Sequence, residues 1–466
     1  MPPLRILPLL LAATLTSACT LTPDYQRPAA PVPDSFPNVT PANVMAPAVD
    51  TIAWRDYFAD ERLRETIAQA LANNRDLRIA ALNIEKARAQ YRIQRADLSP
   101  AVGASGGMNA QRLPDDLSPG GDASVNRTYS ATLGFSAYEL DFFGRIRSLN
   151  DQALQLYLGT EEAQRSAQIG LVAEVAHAWL TLAADRERLA LARNTHETRQ
   201  KSFDLTRRSF EAGAVSALDV HQAQTLMESA RADVVRYQNF VAQDEHALVL
   251  VVGAPVPAEQ LPDRLTDKVS VVTELPAGIP SITLARRPDI LQAERVLLAA
   301  NASIGAARAA FFPRITLTAA GGSASSSLEG LFDGGSGAWS FVPQIRIPIF
   351  EAGRLKANLD VAEIQRDINI ALYEKAIQRA FREVADALAE RATIAEQIDA
   401  RRRLVESAAA GFRLSEARYK GGVDSHFGLL DSQRTLYGAE LELIGVRLSE
   451  AANRVTLYRV LGGGWQ

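Results

Sequence analysis

The sequence predicts a mainly α protein with a small β part, in which long coiled-coil helices carry four short strands and one plan is used twice. Three observations predict it. The run 145–210 holds no proline and has a counterpart at 354–419. Four short segments alternate apolar with polar or small residues. The second half of the chain repeats the first, with Asp76 and Pro100 matching Asp289 and Pro313 (313 − 100 = 213) and Gly144 matching Gly353 (353 − 144 = 209). The offset then stays at 209 through Gly213 and Gly422, and through Gly253 and Gly462. Coupled helices tolerate no insertion, because one extra residue turns an apolar face by about 100°.

In chain order, residues 1–18 read as a signal peptide. Arg5 precedes the apolar run Ile6–Ala13, and Ser17-Ala18 lead to Cys19, the only cysteine. A cysteine after small residues is where a bacterial lipoprotein signal is cut and the thiol acylated; cleavage by the ordinary peptidase is the alternative. Thr20 stands where an inner-membrane retention signal would place aspartate, which points to the outer membrane. No later stretch of 18 apolar residues suggests a membrane-spanning helix, so a spanning part has to be a β-barrel. Residues 19–60 begin with a Pro-rich strap, and 254–280 form a second Pro-rich linker.

The first repeat, 61–253, reads as a helix, strands at about 101–111 and 128–140, a long helix 145–210 and a helix 216–252. The second, 281–462, reads as a helix, strands at about 313–322 and 339–350, a long helix 354–419 and a helix 425–461, leaving 463–466 as a tail. The first-repeat helix is read as unbroken to Pro100. In the long helix, Leu149, Ala153, Leu156, Thr160, Ala163, Ala167 and Gly170 make a narrow seam suited to close helix packing. Pro100 and Pro313 mark helix-to-strand breaks. Gly213 and Gly422 suit the left-handed residue that closes a helix, and Ser216 and Ser425 the next N-caps, with a capping box from Ser216 to Asp219. Among the strands, Tyr129, Ala131, Leu133, Phe135 and Ala137 share an apolar face, as do Trp339, Phe341, Ile345, Ile347 and Ile349. Such two-faced strands are the signature of an outer-membrane barrel, with hairpins packed on a soluble core as the alternative; an exported chain with no other membrane span favours the barrel. Four strands cannot enclose a channel, so several chains must contribute.

The charge of −4 argues against nucleic acid as a partner. No GxxxxGK[ST] loop exists to cradle a nucleotide. His177, His196, His221, His246 and His426 are scattered without HExxH spacing, so no metal site and no cofactor is expected. No catalytic triad stands out from the background of Ser and Asp, and the chain does not read as an enzyme.

The stretches "CTLTPDYQRP", "RRPDILQAERVLLAANASIGAARAAFFPRITLTAAGG", "PIFEAGRLKA", "RYKGGVDSHFGLLDSQRTLY" and "YRVLGGGW" resemble the TolC-like outer-membrane efflux proteins, most closely the lipoprotein branch serving resistance-nodulation-division (RND) pumps. The resemblance covers essentially the whole mature chain. It implies a homotrimer whose three sets of four strands form one 12-stranded transmembrane β-barrel, continued through the periplasm by a trimeric α-barrel. It implies lipid anchoring at Cys19, a belt made of the Pro-rich segments, and passive conduction of drugs or other small toxic compounds. The implied partners are a periplasmic adaptor, an inner-membrane RND transporter and outer-membrane lipid. Periplasmic gate candidates implied near the hairpin tips are Phe412, Glu416, Arg418 and Asp424, with Asp204, Arg208 and Glu211 on the first hairpin. A type I protein-secretion or heavy-metal channel on the same scaffold, and a lipid-anchored coiled-coil adaptor, are the alternatives.

Overall fold

Long uninterrupted helix formers and short alternating strands produce the order of elements. The structure, a computed structural model, describes residues 20–37, 52–118, 121–266, 269–270 and 281–464. The signal peptide, Cys19 and the last two residues lie outside them. Helices α1 (Trp54–Tyr57), α2 (Glu61–Asn73) and α3 (Arg75–Ala96) lead to strands β1 (Val102–Leu113) and β2 (Ser124–Leu140). Helices α4 (Arg145–Glu211), α5 (Ala217–Val252) and α6 (Pro288–Ala309) follow, then β3 (Arg314–Ser325), β4 (Gly337–Arg346), α7 (Arg354–Lys420) and α8 (His426–Val460).

The repeat is visible in backbone and side chains alike. α4 and α7 are both 67 residues long. The three glycine pairs aligned at an offset of 209 all take left-handed φ: 75° and 85° at Gly144 and Gly353, 78° and 70° at Gly213 and Gly422, 77° and 91° at Gly253 and Gly462. Asn74 donates its side-chain amide to the Val251 carbonyl at 2.6 Å, and its counterpart Arg287 donates to the counterpart carbonyl, that of Val460, at 2.7 Å.

Two compact units are present. The first comprises residues up to Ala29, Asn83–Glu161 and Gln292–Glu374. Its four strands form one antiparallel meander in the order β1-β2-β3-β4. Tyr91 of α3 stacks with Tyr157 of α4, ring centres 6.2 Å apart. The Ala-rich α6 buries Leu297, Ala299, Ala300, Ala302 and Ile304.

The second unit comprises Ala30–Leu82, Glu162–Leu291 and Lys375–Gln466. The middle of α4 is apolar around most of its circumference, with Glu174 exposed, as largely buried helices are: Val172, Val175, Ala176, Trp179, Leu180 and Leu182 are within 1 % of full burial. One window of α4 is long and apolar enough to cross a membrane by composition, yet most of it is buried inside the chain. Tyr57, Phe58, Leu63 and Ile67 of the α1–α2 region and Val455 and Tyr458 of α8 complete the core. Described parts of the Pro-rich segments wrap it, with Trp179 donating to the Gln260 carbonyl at 3.0 Å and Phe36 stacking on Phe381 at 4.7 Å.

Several expectations are corrected. The first-repeat helix does not run unbroken to Pro100. Asn74 is extended (φ −62°, ψ 134°) and caps a new helix by accepting the Leu77 N–H at 2.9 Å. In the second repeat, 281–286 is a short 3-10 turn and the α-helix starts at Pro288, where a missing N–H costs nothing. The strand read as 339–350 ends at Arg346, with Pro348 just beyond and Ile347 and Ile349 outside the ladder. β2 begins at Ser124, earlier than 128. The small-residue seam of α4 is not its buried face in the single chain: Leu156 is 45 % exposed, while Ile146, Gly159 and Ile169 are buried. Ala137 does not continue the face of Phe135. A β-bulge lies between Phe135 and Tyr138, Ala137 takes φ 52°, and its amide leaves the ladder to donate to the Thr318 hydroxyl at 3.0 Å.

Candidate functional site

The register sorts the sheet into two faces. Val102, Ala104 and Met108 lie opposite Phe135, Leu133 and Tyr129; Phe135 and Leu133 lie opposite Ala319 and Gly321, which lie opposite Phe341 and Trp339. Beyond the bulge the same face continues through Tyr138, Leu317 and Pro343, then Leu140, Ile315 and Ile345. The other face carries Ser105, Ser130, Thr132, Thr316, Thr318, Gln344 and Arg346. The apolar face is open: Val102, Met108, Leu133, Trp339, Phe341 and Ile345 are each more than half exposed. β1 and β4 pair on one side only within the chain, so two ladder edges are free. Pro343 is tolerated because β4 is such an edge.

At the junction of helix and sheet, the helices give way before the prolines. α3 ends at Ala96 and α6 at Ala309, and the chain tightens into i→i+3 bonds, Ser99 to Ala96 and Phe312 to Ala309, before Pro100 and Pro313. Phe312 stacks on Phe143 at 4.7 Å. Tyr138 donates to the Leu98 carbonyl at 3.1 Å.

The tips close both hairpins in the same way. Gly213 N–H bonds to Phe210 O and Ala214 N–H to Ser209 O; Gly422 N–H bonds to Tyr419 O and Val423 N–H to Arg418 O. These are Schellman turns, which need a left-handed residue at the glycine. Ser216 and Asp219 form the capping box, whereas Ser425 occupies the N-cap position without a side-chain cap bond, and Gly428, at the position of Asp219, has no side chain to reciprocate.

The gate candidates are ion-paired close to home. Arg418 and Asp424 make a two-pronged pair at 2.6 and 3.1 Å, and the guanidinium holds the Asp424 carboxyl below its usual range. Lys420 donates to Glu416 at 2.9 Å. On the first hairpin, Arg207 lies 3.9 Å from Asp204 and 3.8 Å from Glu211, and Arg208 is exposed. Phe412 stands apart from this group, lining a groove with Leu191 and Thr195 of α4 and Leu436 and Tyr437 of α8.

Two features were missed at the level of sequence. His426 is buried at the tip, its Nε2 3.3 Å from the Thr206 hydroxyl and its Nδ1 4.0 Å from Asp219; burial lowers its pKa against the pull of that carboxylate. Farther along the hairpin, burial and the neighbouring Asp185 push the Asp244 carboxyl up to about 6. Folding the chain back about Ala214–Val215 brings 185 onto 244, so the hairpin geometry could have revealed the pair. Among the described residues, no group of three or more His, Cys, Asp or Glu side chains is placed to hold a metal ion.

Cys19 lies outside the described residues, but the strap directly after it is fixed. Thr22 and Ser148 hydroxyls are 3.1 Å apart, Asn301 donates to Pro23 O at 2.7 Å, and Glu294 accepts from Arg27 at 2.7 Å and from Tyr25 at 3.1 Å. A Cβ on Gly305 would sit 2.1 Å from the Thr22 hydroxyl, so only glycine lets the strap lie this close.

Comparison with known proteins agrees with this geometry. The profile of the family described as outer membrane efflux protein matches residues 66–254 and 279–463, one match in each repeat. The antibiotic efflux pump outer membrane protein ArpC of Pseudomonas putida is 51 % identical over 464 residues, 99 % of this chain and 96 % of that protein. A membrane protein from Pseudomonas aeruginosa has a crystal structure that superposes with a TM-score of 0.90 at 46 % identity, covering 96 % of this chain and 98 % of that one. The open state of the Neisseria gonorrhoeae MtrE outer membrane channel superposes with a TM-score of 0.86 at 40 % identity, covering 96 % and 99 %. These matches set aside the adaptor alternative.

Proposed function

The chain belongs to the outer membrane efflux protein family, and from that premise we propose that it is the outer-membrane channel of a tripartite efflux pump, passively conducting drugs or other small toxic compounds out of the cell. The observation that carries this reading is the sheet: four strands with one open apolar face, one polar face and two free edges. Lipid satisfies the apolar face, and neighbouring strands satisfy the edges, because unpaired backbone groups are not tolerated in hydrocarbon. A homotrimer supplies those strands. Support for it comes from α7, where Val361, Ile364, Ile368 and Leu372 recur at helical spacing and are each 48–66 % exposed in the single chain. Such a stripe needs covering by another copy.

The strap supports lipid anchoring at Cys19. Thr22 is held against Ser148, in the first turn of α4, and against Gly305, near the end of α6. Both positions are close in the chain to the strands, so an acyl chain on Cys19 would start near the membrane surface. The energy of transport comes from an inner-membrane RND transporter, joined through a periplasmic adaptor. The groove at the tip, lined by Leu226, Phe427 and Leu430 and rimmed by Asp431 and Arg434, suits an adaptor hairpin.

Reconstitution of the purified protein in planar bilayers tests the channel; absence of any conductance overturns it. In a trimer each tip side chain becomes a ring, and rings of charge control passage. The gate reading expects Glu416→Gln, which frees Lys420, to raise single-channel current and antibiotic leakage. Unchanged current and unchanged vancomycin sensitivity would refute the gate while leaving the channel standing.

A further inference from the structure

Where β2 runs into α4, α6 into β3 and β4 into α7, the first unit forms an open cavity of about 220 Å³. Four guanidinium groups line it, those of Arg145, Arg314, Arg346 and Arg354. All four stand where local energetics disfavour a cation. Arg314 and Arg346 lie directly opposite each other on neighbouring strands, a destabilising arrangement for like charges. Arg145 and Arg354 open the two 67-residue helices, at the positive end of the dipole, and neither first turn contains an acidic residue. Local rules broken together in one place mark a functional site.

The carboxylates there cover only part of this charge. Glu139 accepts two bonds from Arg145, at 2.8 and 2.7 Å, and also serves Arg314 at 3.1 Å. Glu351 accepts from Arg354 at 2.7 Å, while Arg346 stands 4.0 Å away, beyond hydrogen-bond range. The third carboxylate, Asp141, is taken by Arg147 at 3.2 Å. Four arginines thus share two carboxylates, and the Arg346 side chain is 80 % exposed. The rest of the wall is apolar, with the stacked Phe143 and Phe312, Phe142, itself 54 % exposed, and aliphatic residues such as Leu355.

The cavity belongs to the polar side of the sheet. Glu139, Arg314 and Arg346 share the face of Thr316 and Gln344, and all three line it; of the opposite face only Leu140, the last residue of β2, reaches it, while Ile315 and Ile345 do not. On the channel reading, which this inference rests on, that face borders water and cargo.

We propose that this cavity is a transit site for organic anions, binding a carboxylate, sulfonate or phosphate group carried on an aromatic or apolar body as the compound passes from the helical part to the strands. The guanidinium forks grip the planar or tetrahedral anion, and the phenyl rings take the apolar body. Residence is brief, since a conducting site must release what it binds.

The test uses the full-length protein in planar bilayers with naphthalene-1-sulfonate as the probe, and naphthalene-1-methylammonium as its cationic counterpart. The sulfonate is expected to reduce the current of the wild type. In Arg314→Gln/Arg346→Gln the half-blocking concentration rises at least tenfold, and block by the cation does not weaken. Removing a repulsive pair should leave folding intact, which heat-modifiable migration checks; Arg346→Gln alone gives a second, milder variant, expected to shift the block three-fold or more. Calorimetric titration of the same sulfonate into detergent-solubilised protein reads the site without a current. Wild-type binding that the double variant loses, with no conductance in either, would sink the channel reading and keep the anion site. Normal conductance with equal block and equal titration in wild type and double variant overturns the site. Phospholipid that copurifies with the wild type and is lost in the double variant, with sulfonate block unchanged, makes this a headgroup site and overturns the cargo assignment.

Discussion

Replacing Asp244 by asparagine should make the protein more stable at neutral pH. Asp244 on α5 faces Asp185 on α4; Asp185 is 6 % exposed and holds Arg188 at 2.7 Å, and one oxygen of Asp244 is buried without a hydrogen-bond partner. Burial first, and the neighbouring carboxylate second, raise the Asp244 pKa from 3.8 to about 6. A carboxyl that binds its proton more tightly when folded stabilises the protein fully below pH 3.8, and this contribution is lost as pH rises through 6. The shift corresponds to about 3 kcal/mol at 1.36 kcal/mol per unit, which partial exposure reduces to roughly 1–2 kcal/mol. Asparagine keeps the shape, donates to Asp185 as the protonated acid would, and cannot ionise. The assay is thermal unfolding of wild type and Asp244→Asn at one scan rate, between pH 4 and pH 8, since large proteins commonly unfold irreversibly. Expected is a difference in Tm near zero at pH 4 that grows to roughly 1–4 °C in favour of the variant at pH 7. A variant less stable at pH 7, or a difference independent of pH, would refute the raised pKa of Asp244 as the cause.

Two further outcomes follow from local geometry. Ser216→Ala removes the hydroxyl that accepts the Asp219 N–H and donates to the Asp219 carboxylate, leaving only the bond from the Ser216 N–H, and should cost about 1 kcal/mol of local stability, while Ser425→Ala, which removes no side-chain cap bond, should cost almost nothing; hydrogen exchange of the first-turn amides of α5 and α8 separates them, and equal effects would contradict the asymmetry. Arg27→Ala leaves the Glu294 carboxylate, only 10 % exposed, with Tyr25 as its remaining strap partner, at a cost of roughly 1 kcal/mol once the half-exposed arginine is discounted. Faster chymotryptic cleavage after Tyr25 is expected, and an unchanged rate would mean the strap is held by its other contacts.

Much of the architecture is legible in the sequence because two long helices must keep register. Gly144, Gly213 and Gly253 and their partners 209 residues later are evident as pairs, and each needs a left-handed backbone that only glycine takes readily. The bulge at Ala137 is not legible: alternation reads straight through it, and only the facing strand reveals the extra residue. The break at Asn74 is hidden in the same way, since asparagine costs little within a helix and its capping role depends on the Val251 carbonyl from a distant element. At the tips, the candidate residues are implied by the family resemblance, but their pairing, Arg418 with Asp424 and Lys420 with Glu416, depends on how the turn folds. The arginine cavity illustrates the limit most clearly. Arg145 and Arg354 stand out in the sequence as repeat partners, but Arg314 and Arg346 become neighbours only once the β3–β4 register is known.

The position of β2 beside β3 sets a timetable for the newly made chain. Each outer hairpin can zip across its own short turn, but β2 meets β3 only after the chain from Asp141 to Pro313 has been completed. Long-range closure of this kind is slow, and the loop entropy is lost before any ladder bond forms. Until then a β1–β2 hairpin has both edges and an apolar face uncovered, which invites pairing with other chains. A ribosome that stalls anywhere beyond Leu140 but short of Ser325 therefore releases a fragment without the strand that β2 requires. Such fragments should burden the cell's periplasmic chaperones and proteases far more than any full-length variant with a damaged tip.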